Sequence, residues 1–162
     1  MALAGPVFLD TSVLLGGLIE IAGPNAPAQR VMSWVAAGRA RLARTAWHCC
    51  LEFYSVATRL PEEFRLTPQD ALRLLQAEIL ERFDVFNLPA RGRLPLLRGA
   101  VADGIAGGRV YDAHIAEVAR ASGAGLVVTE NRRHFTGLLR HGIVVLTAGE
   151  FAAGGGLGRR KP

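Results

Sequence analysis

Residues 111–129 read YDAHIAEVARASGAGLVVT. The first thirteen form a helical pattern of about three turns that stops at Gly123, a glycine placed to cap a helix C-terminus. AGLVVT, at 124–129, is a short apolar run of strand type. A helix that hands over to a brief buried strand is one unit of an α/β fold, and the rest of the chain repeats it. PVFLD at 6–10, ARLART at 40–45, DVFNL at 84–88 and GIVVLT at 142–147 are the other strand segments. Between them lie the helical patterns NAPAQRVMSWVAAG, which stops at Gly38, and TAWHCCLEFYSVATRL, which stops at Pro61. TPQDALRLLQAEILERF follows, with Thr67 as N-cap and Pro68 at the first helical position. GRLPLLRGAVADGIAGG is expected to be helical after Pro95 and to end at Gly107. Strands separated by helices imply right-handed crossovers, and hence a three-layer α/β/α sandwich around a mostly parallel sheet.

The chain has 162 residues, enough for one domain, which we assign to 1–152; the glycine-rich basic tail at 153–162 is expected to be disordered. Half of the residues are hydrophobic and a fifth are charged, which excludes a wholly disordered chain. Asp10 and Glu20 interrupt the most apolar stretch, and no basic n-region precedes it, so a cytoplasmic protein with no membrane span is expected. Cys49 and Cys50 are adjacent, a spacing that suits neither a loop-closing disulfide nor a zinc knuckle, and they read as small buried hydrophobes. The net charge of +5 suggests an anionic partner such as nucleic acid. The single lysine, Lys161, lies in the tail, which removes P-loop, Schiff-base and phosphoaspartate–lysine chemistry.

The acids carry more information. Asp10 closes the first strand segment and is followed by Thr11 and Ser12; it is either a helix N-cap or a carboxylate delivered to the sheet edge. Glu52, in the middle of an apolar helix, is either bridged to Arg59 or turned into a polar site. Asp112 opens its helix and is either a helix cap or a site acid, the capping-box glutamate being absent because the position three residues on is Ile115. Glu130 and Asn131 follow the strand at 124–129. A parallel sheet can bring Asp10, Glu52, Asp112 and an oxygen at 130 or 131 to one rim. Carboxylates and amides are what Mg²⁺ and Mn²⁺ take, and such ions promote phosphodiester cleavage. His48, His114, His134 and His141 make no i, i+4 pair with one another, so no zinc site is expected, although His114 and His134 could touch RNA.

FLDTSVLL, the glutamate in CLEFYSV, RVYDAHIAEVARASGAGLVVTENRRHF and IVVLTAGEF together resemble the PIN-domain ribonucleases, in particular the VapC toxins of bacterial toxin–antitoxin pairs, over residues 6–151. The resemblance implies a compact α/β/α sandwich, Mg²⁺- or Mn²⁺-dependent endoribonuclease activity, homodimers and a small antitoxin partner. Carried over by position, Asp10, Glu52 and Asp112 are metal ligands and Asn131 takes a fourth catalytic place where many members have aspartate, with Glu130 as the alternative. Ser12 and Thr129 are then hydroxyls that orient the carboxylates. Two other readings use the same residues: a PIN-like RNA- or partner-binding module with little catalysis, and a metal-dependent DNA nuclease.

Overall fold

Five short strands form one parallel sheet in the order β3-β2-β1-β4-β5, with β1 at Val7–Leu9, β2 at Ala43–Ala46, β3 at Asp84–Phe86, β4 at Leu126–Val128 and β5 at Val144–Leu146. Every predicted strand segment supplies one of them. The computed structural model describes residues 5–39 and 42–154. Ala40 and Arg41 of the second segment, and positions 155–162 of the tail expected at 153–162, lie outside the described residues, whereas Ala153 is not tail but the last residue of the final helix. The three-residue strand β1 is buried along its whole length, as a central strand covered on both faces requires.

Helices α1 (Thr11–Leu18) and α2 (Pro27–Ala36) connect β1 to β2, and α3 (Trp47–Ala57) and α4 (Pro68–Leu74) connect β2 to β3. A wider π-helical turn at Leu75–Leu80 extends α4. Helices α5 (Ala90–Ala102) and α6 (Arg109–Ala121) then cross back over the sheet to β4. Two 3₁₀ turns, Arg132–His134 and Thr136–His141, lead to β5, and α7 (Ala148–Ala153) follows it. Right-handed crossovers place α1 to α4 on one face and α5, α6 and the 3₁₀ turns on the other. The packing agrees: α1 lies on α2 and α3, α2 on α7, and α6 on α5 and on both 3₁₀ turns. This is the expected α/β/α sandwich, its core led by the fully buried Phe8, Phe53, Phe135 and Phe151. Truncating any of these to alanine would cost about 3–5 kcal/mol through lost transfer energy and the cavity left behind.

Local signals act where expected at several ends. The Thr67 hydroxyl accepts from the Asp70 amide with Pro68 beside it, and α6 gives way to Gly123 at φ +77°, where an L side chain would be strained. The fifth helix differs from its expected span. It begins at Ala90, carries Pro95 inside it and ends at Ala102, so the proline did not mark its start and Gly107 is not its end. The bond lost at Pro95 is to the Arg91 carbonyl, and Arg91 is solvent-exposed, so water can take that acceptor. Cys49 and Cys50 are buried free thiols, pushed by desolvation up to about 12 and about 11, and are inert packing residues at neutral pH.

Candidate active site

Successive connections leave β1 and β4 in opposite directions across the sheet, and such a reversal opens a crevice outside the carboxyl ends of the two strands. Asp10 follows β1 at this point and Thr129 follows β4. The Asp10 amide donates to the Val128 carbonyl at 3.1 Å, fixing the two strand ends against each other. Asp10 occupies the N-cap position of α1, yet its side chain makes no capping bond. Its Oδ2 instead accepts from the Thr129 hydroxyl at 2.8 Å and the Ser12 hydroxyl at 2.9 Å. The carboxyl is only 3% exposed and, among the described residues, has no cationic partner. Desolvation raises its pKa above the ordinary carboxylate value, the Thr129 and Ser12 hydroxyls oppose that rise, and the nearby Glu52 charge adds to it.

Glu52 reaches the same place from α3, which starts directly after β2, itself tied to β1 by the Thr45 hydroxyl donating to the Leu9 carbonyl at 2.9 Å. The Thr11 hydroxyl donates to Glu52 Oε2 at 2.6 Å, so the residue next to Asp10 holds the second acid beside the first. Arg59 is not its partner; His48, one turn earlier on α3, stands 3.4 Å from Oε1. The i, i+4 spacing of His48 and Glu52 was the one sign in the sequence of that contact.

Asp112 is the fourth residue of α6, whose N-cap is Gly108, so the helix-cap alternative for Asp112 is overturned. Its Oδ2 bonds His134 Nδ1 at 2.6 Å. The α3 and α6 sides of the crevice meet through rings: Tyr111 stacks on His48 with centroids 5.4 Å apart, and His114 meets His48 edge-on at 5.2 Å. Burial, then the neighbouring His48, lowers the His114 pKa. The histidines, scattered in sequence, thus hold both outer acids, a role no local spacing gave for His134. Among the described residues no three His, Cys, Asp or Glu side chains stand in a preformed metal-ligating group. Even so, the donors these acids offer are carboxylate oxygens, with Glu52 held beside the buried Asp10 and Asp112 Oδ1 outside the bond to His134, and oxygen donors of this kind suit Mg²⁺ or Mn²⁺.

The residues after β4 divide. The Asn131 amide donates to Thr129 Oγ1 at 3.0 Å, continuing the chain of bonds that ends on Asp10, and its side chain is exposed at the rim. Glu130 turns the other way: its amide donates to the Ser12 hydroxyl, while Oε1 accepts from the Ala148 amide at 3.1 Å at the start of α7.

A family model described as PIN domain matches residues 6–133. Ribonuclease VapC27 of Mycobacterium tuberculosis is 38% identical over 128 residues, covering 78% of this chain and 86% of that protein. Among solved structures, VapBC-1 from nontypeable Haemophilus influenzae superposes with a TM-score of 0.59 at 14% identity, covering 88% of this chain and 98% of the other. VapBC2 from Rickettsia felis, bound to a DNA fragment from its promoter, gives 0.56 at 16% identity, covering 86% and 96%. At these identities the two structures bear on the fold alone.

Proposed function

Because the chain belongs to the PIN-domain family and groups with its VapC-type ribonucleases, we propose that it is a Mg²⁺- or Mn²⁺-dependent endoribonuclease, the toxin of a toxin–antitoxin pair. The observation that carries this reading is Asp10, a carboxylate buried at the strand-order reversal with no cation beside it among the described residues, and with Glu52 held next to it. Burying an uncompensated acid is costly, and a divalent ion offsets that cost. Asp10, Glu52 and Asp112 would hold the ion. When bound, it supplies acidification of water and charge neutralisation at the phosphate undergoing in-line displacement. Ser12 and Thr129 fix Asp10, Thr11 and His48 fix Glu52, and His134 fixes Asp112, so each carboxylate is oriented before RNA arrives. Asn131 stands at the rim as the fourth polar residue.

Purified protein incubated with total RNA should cleave it with Mn²⁺ or Mg²⁺ and stop when a chelator is added; persistent cleavage in chelator would sink the metal role. DNA of the same sequence serves as the control that separates a ribonuclease from a deoxyribonuclease. Asn131→Ala should lower the rate by roughly tenfold, in line with the loss of one oriented polar group. Glu130→Gln should leave it nearly unchanged, because glutamine keeps the acceptor for the Ala148 amide. The reverse pattern, measured as initial rates, would move the fourth place to Glu130.

The partners follow from the same reading. An antitoxin is expected to quench the acidic crevice with a cationic group. A homodimer is supported by the exposed Leu94, Leu97 and Val101, which form one stripe of α5 at helical spacing. Among the described residues, no helix is long and apolar enough to cross a membrane.

A further inference from the structure

A cavity of about 510 Å³ lies between α5, α6 and the turns at 132–141. His134 belongs to its wall and also bonds Asp112, so the cavity opens beside the reacting centre. Part of its lining is apolar, with Pro95, Leu96 and Ile105 among its walls. Arg109, Arg133 and Arg140 also line it, and among the described residues none of the three forms an ion pair. Glu117, by contrast, is engaged by Arg120. Asp103 adds an acceptor. Apolar walls suit the face of a base, three unpaired guanidinium groups suit phosphate, and a carboxylate suits ring N–H or exocyclic amino groups. The volume lies within the ~300–1,000 Å³ usual for small-ligand sites.

We propose that this cavity binds one nucleotide of the RNA chain flanking the scissile bond, with the base inside and its phosphates on Arg109 and Arg133. This rests on the ribonuclease reading above and adds to it a site for base selection, away from the carboxylates. Unstacked bases of single-stranded RNA are what such a pocket can take, and a duplex would not enter it.

Gly99 offers the test. It lines the cavity, and a Cβ built there meets nothing within 4 Å, so the first atom of a larger side chain has open space and Gly99→Leu places bulk at the cavity lining. Glycine inside a helix is itself destabilising, so the variant should melt at the same temperature or higher. Binding of a labelled hexaribonucleotide to the full chain is measured by fluorescence anisotropy in chelator, where nothing is cleaved. Gly99→Leu is expected to weaken it about tenfold or more, the scale of losing one stacked base. Arg109→Ala and Arg133→Ala should each flatten the salt dependence by ~0.7 in log–log slope, one phosphate contact on a single strand. Unchanged affinity in a folded Gly99→Leu would overturn the proposal. So would equal competition by hexaglutamate, which would mean the arginines read charge in a peptide, or binding of free nucleoside monophosphate as tight as that of the hexamer. Wild-type cleavage in Mn²⁺ is scored separately. Its absence together with a Gly99→Leu binding defect would remove the nuclease reading and leave the nucleotide site standing.

Discussion

Asp10→Asn is expected to lower RNA cleavage by roughly 100-fold or more while raising thermal stability in chelator. The first effect follows from the proposed metal role: losing a partner of a metal ligand commonly costs 10 to 100-fold, and Asp10 is the carboxylate that Ser12 and Thr129 orient. The second follows from burial. Desolvation raises the folded-state pKa of Asp10 above 3.8, so the stability this group contributes is fully present below that value. It declines as pH rises, because the unfolded chain ionises first, and is gone above the folded-state pKa. As pH rises the wild type must hold its proton against solvent or bear a buried charge, and either costs stability that asparagine does not lose, while the amide oxygen still accepts from Ser12 and Thr129. The melting-temperature gap between variant and wild type should therefore open as pH rises from about 4 and close in acid. A variant that melts lower than wild type at neutral pH in chelator would show that the charge itself holds the strand ends together.

Asp112→Asn should also cost roughly 100-fold in cleavage, with the melting temperature moving by a few degrees at most. The residue sits one turn inside α6, so losing its charge removes only the ~0.3–1 kcal/mol that an acid gains at a helix N-terminus. Asparagine keeps an oxygen for His134. Full activity with a large fall in melting temperature would make Asp112 a structural anchor for the turn at 132–134 and leave catalysis to the Asp10–Glu52 pair. Activity and melting curves on one preparation decide between these outcomes.

The sequence by itself determined the strand segments, several helix ends and the α/β class. These depend on local physics: an apolar run of four or five residues stopped by a polar one, a proline at the first helical position, a glycine that can take positive φ. Pro95 was misread for the same reason. Its cost is local, but whether the freed Arg91 carbonyl meets water depends on which face of α5 is exposed. The acids themselves were visible as types: an aspartate ending a strand and a glutamate alone on an apolar helix do not suit packing.

Only the tertiary structure decided what these acids touch. Thr129 lies 119 positions from Asp10, Thr11 lies 41 from Glu52, and His134 lies 22 from Asp112. No periodicity of 2 or 3.6 residues carries information over such separations. It was the strand order that brought the ends of β1 and β4 together, and that order is set by which crossovers bury the sheet on both faces. The choice between Glu130 and Asn131 shows the same division. Strand alternation favours one side for Thr129 and Asn131. Yet the side chain of Glu130 was settled by the amide of Ala148, a donor that stands at the start of α7 only once β5 has paired beside β4.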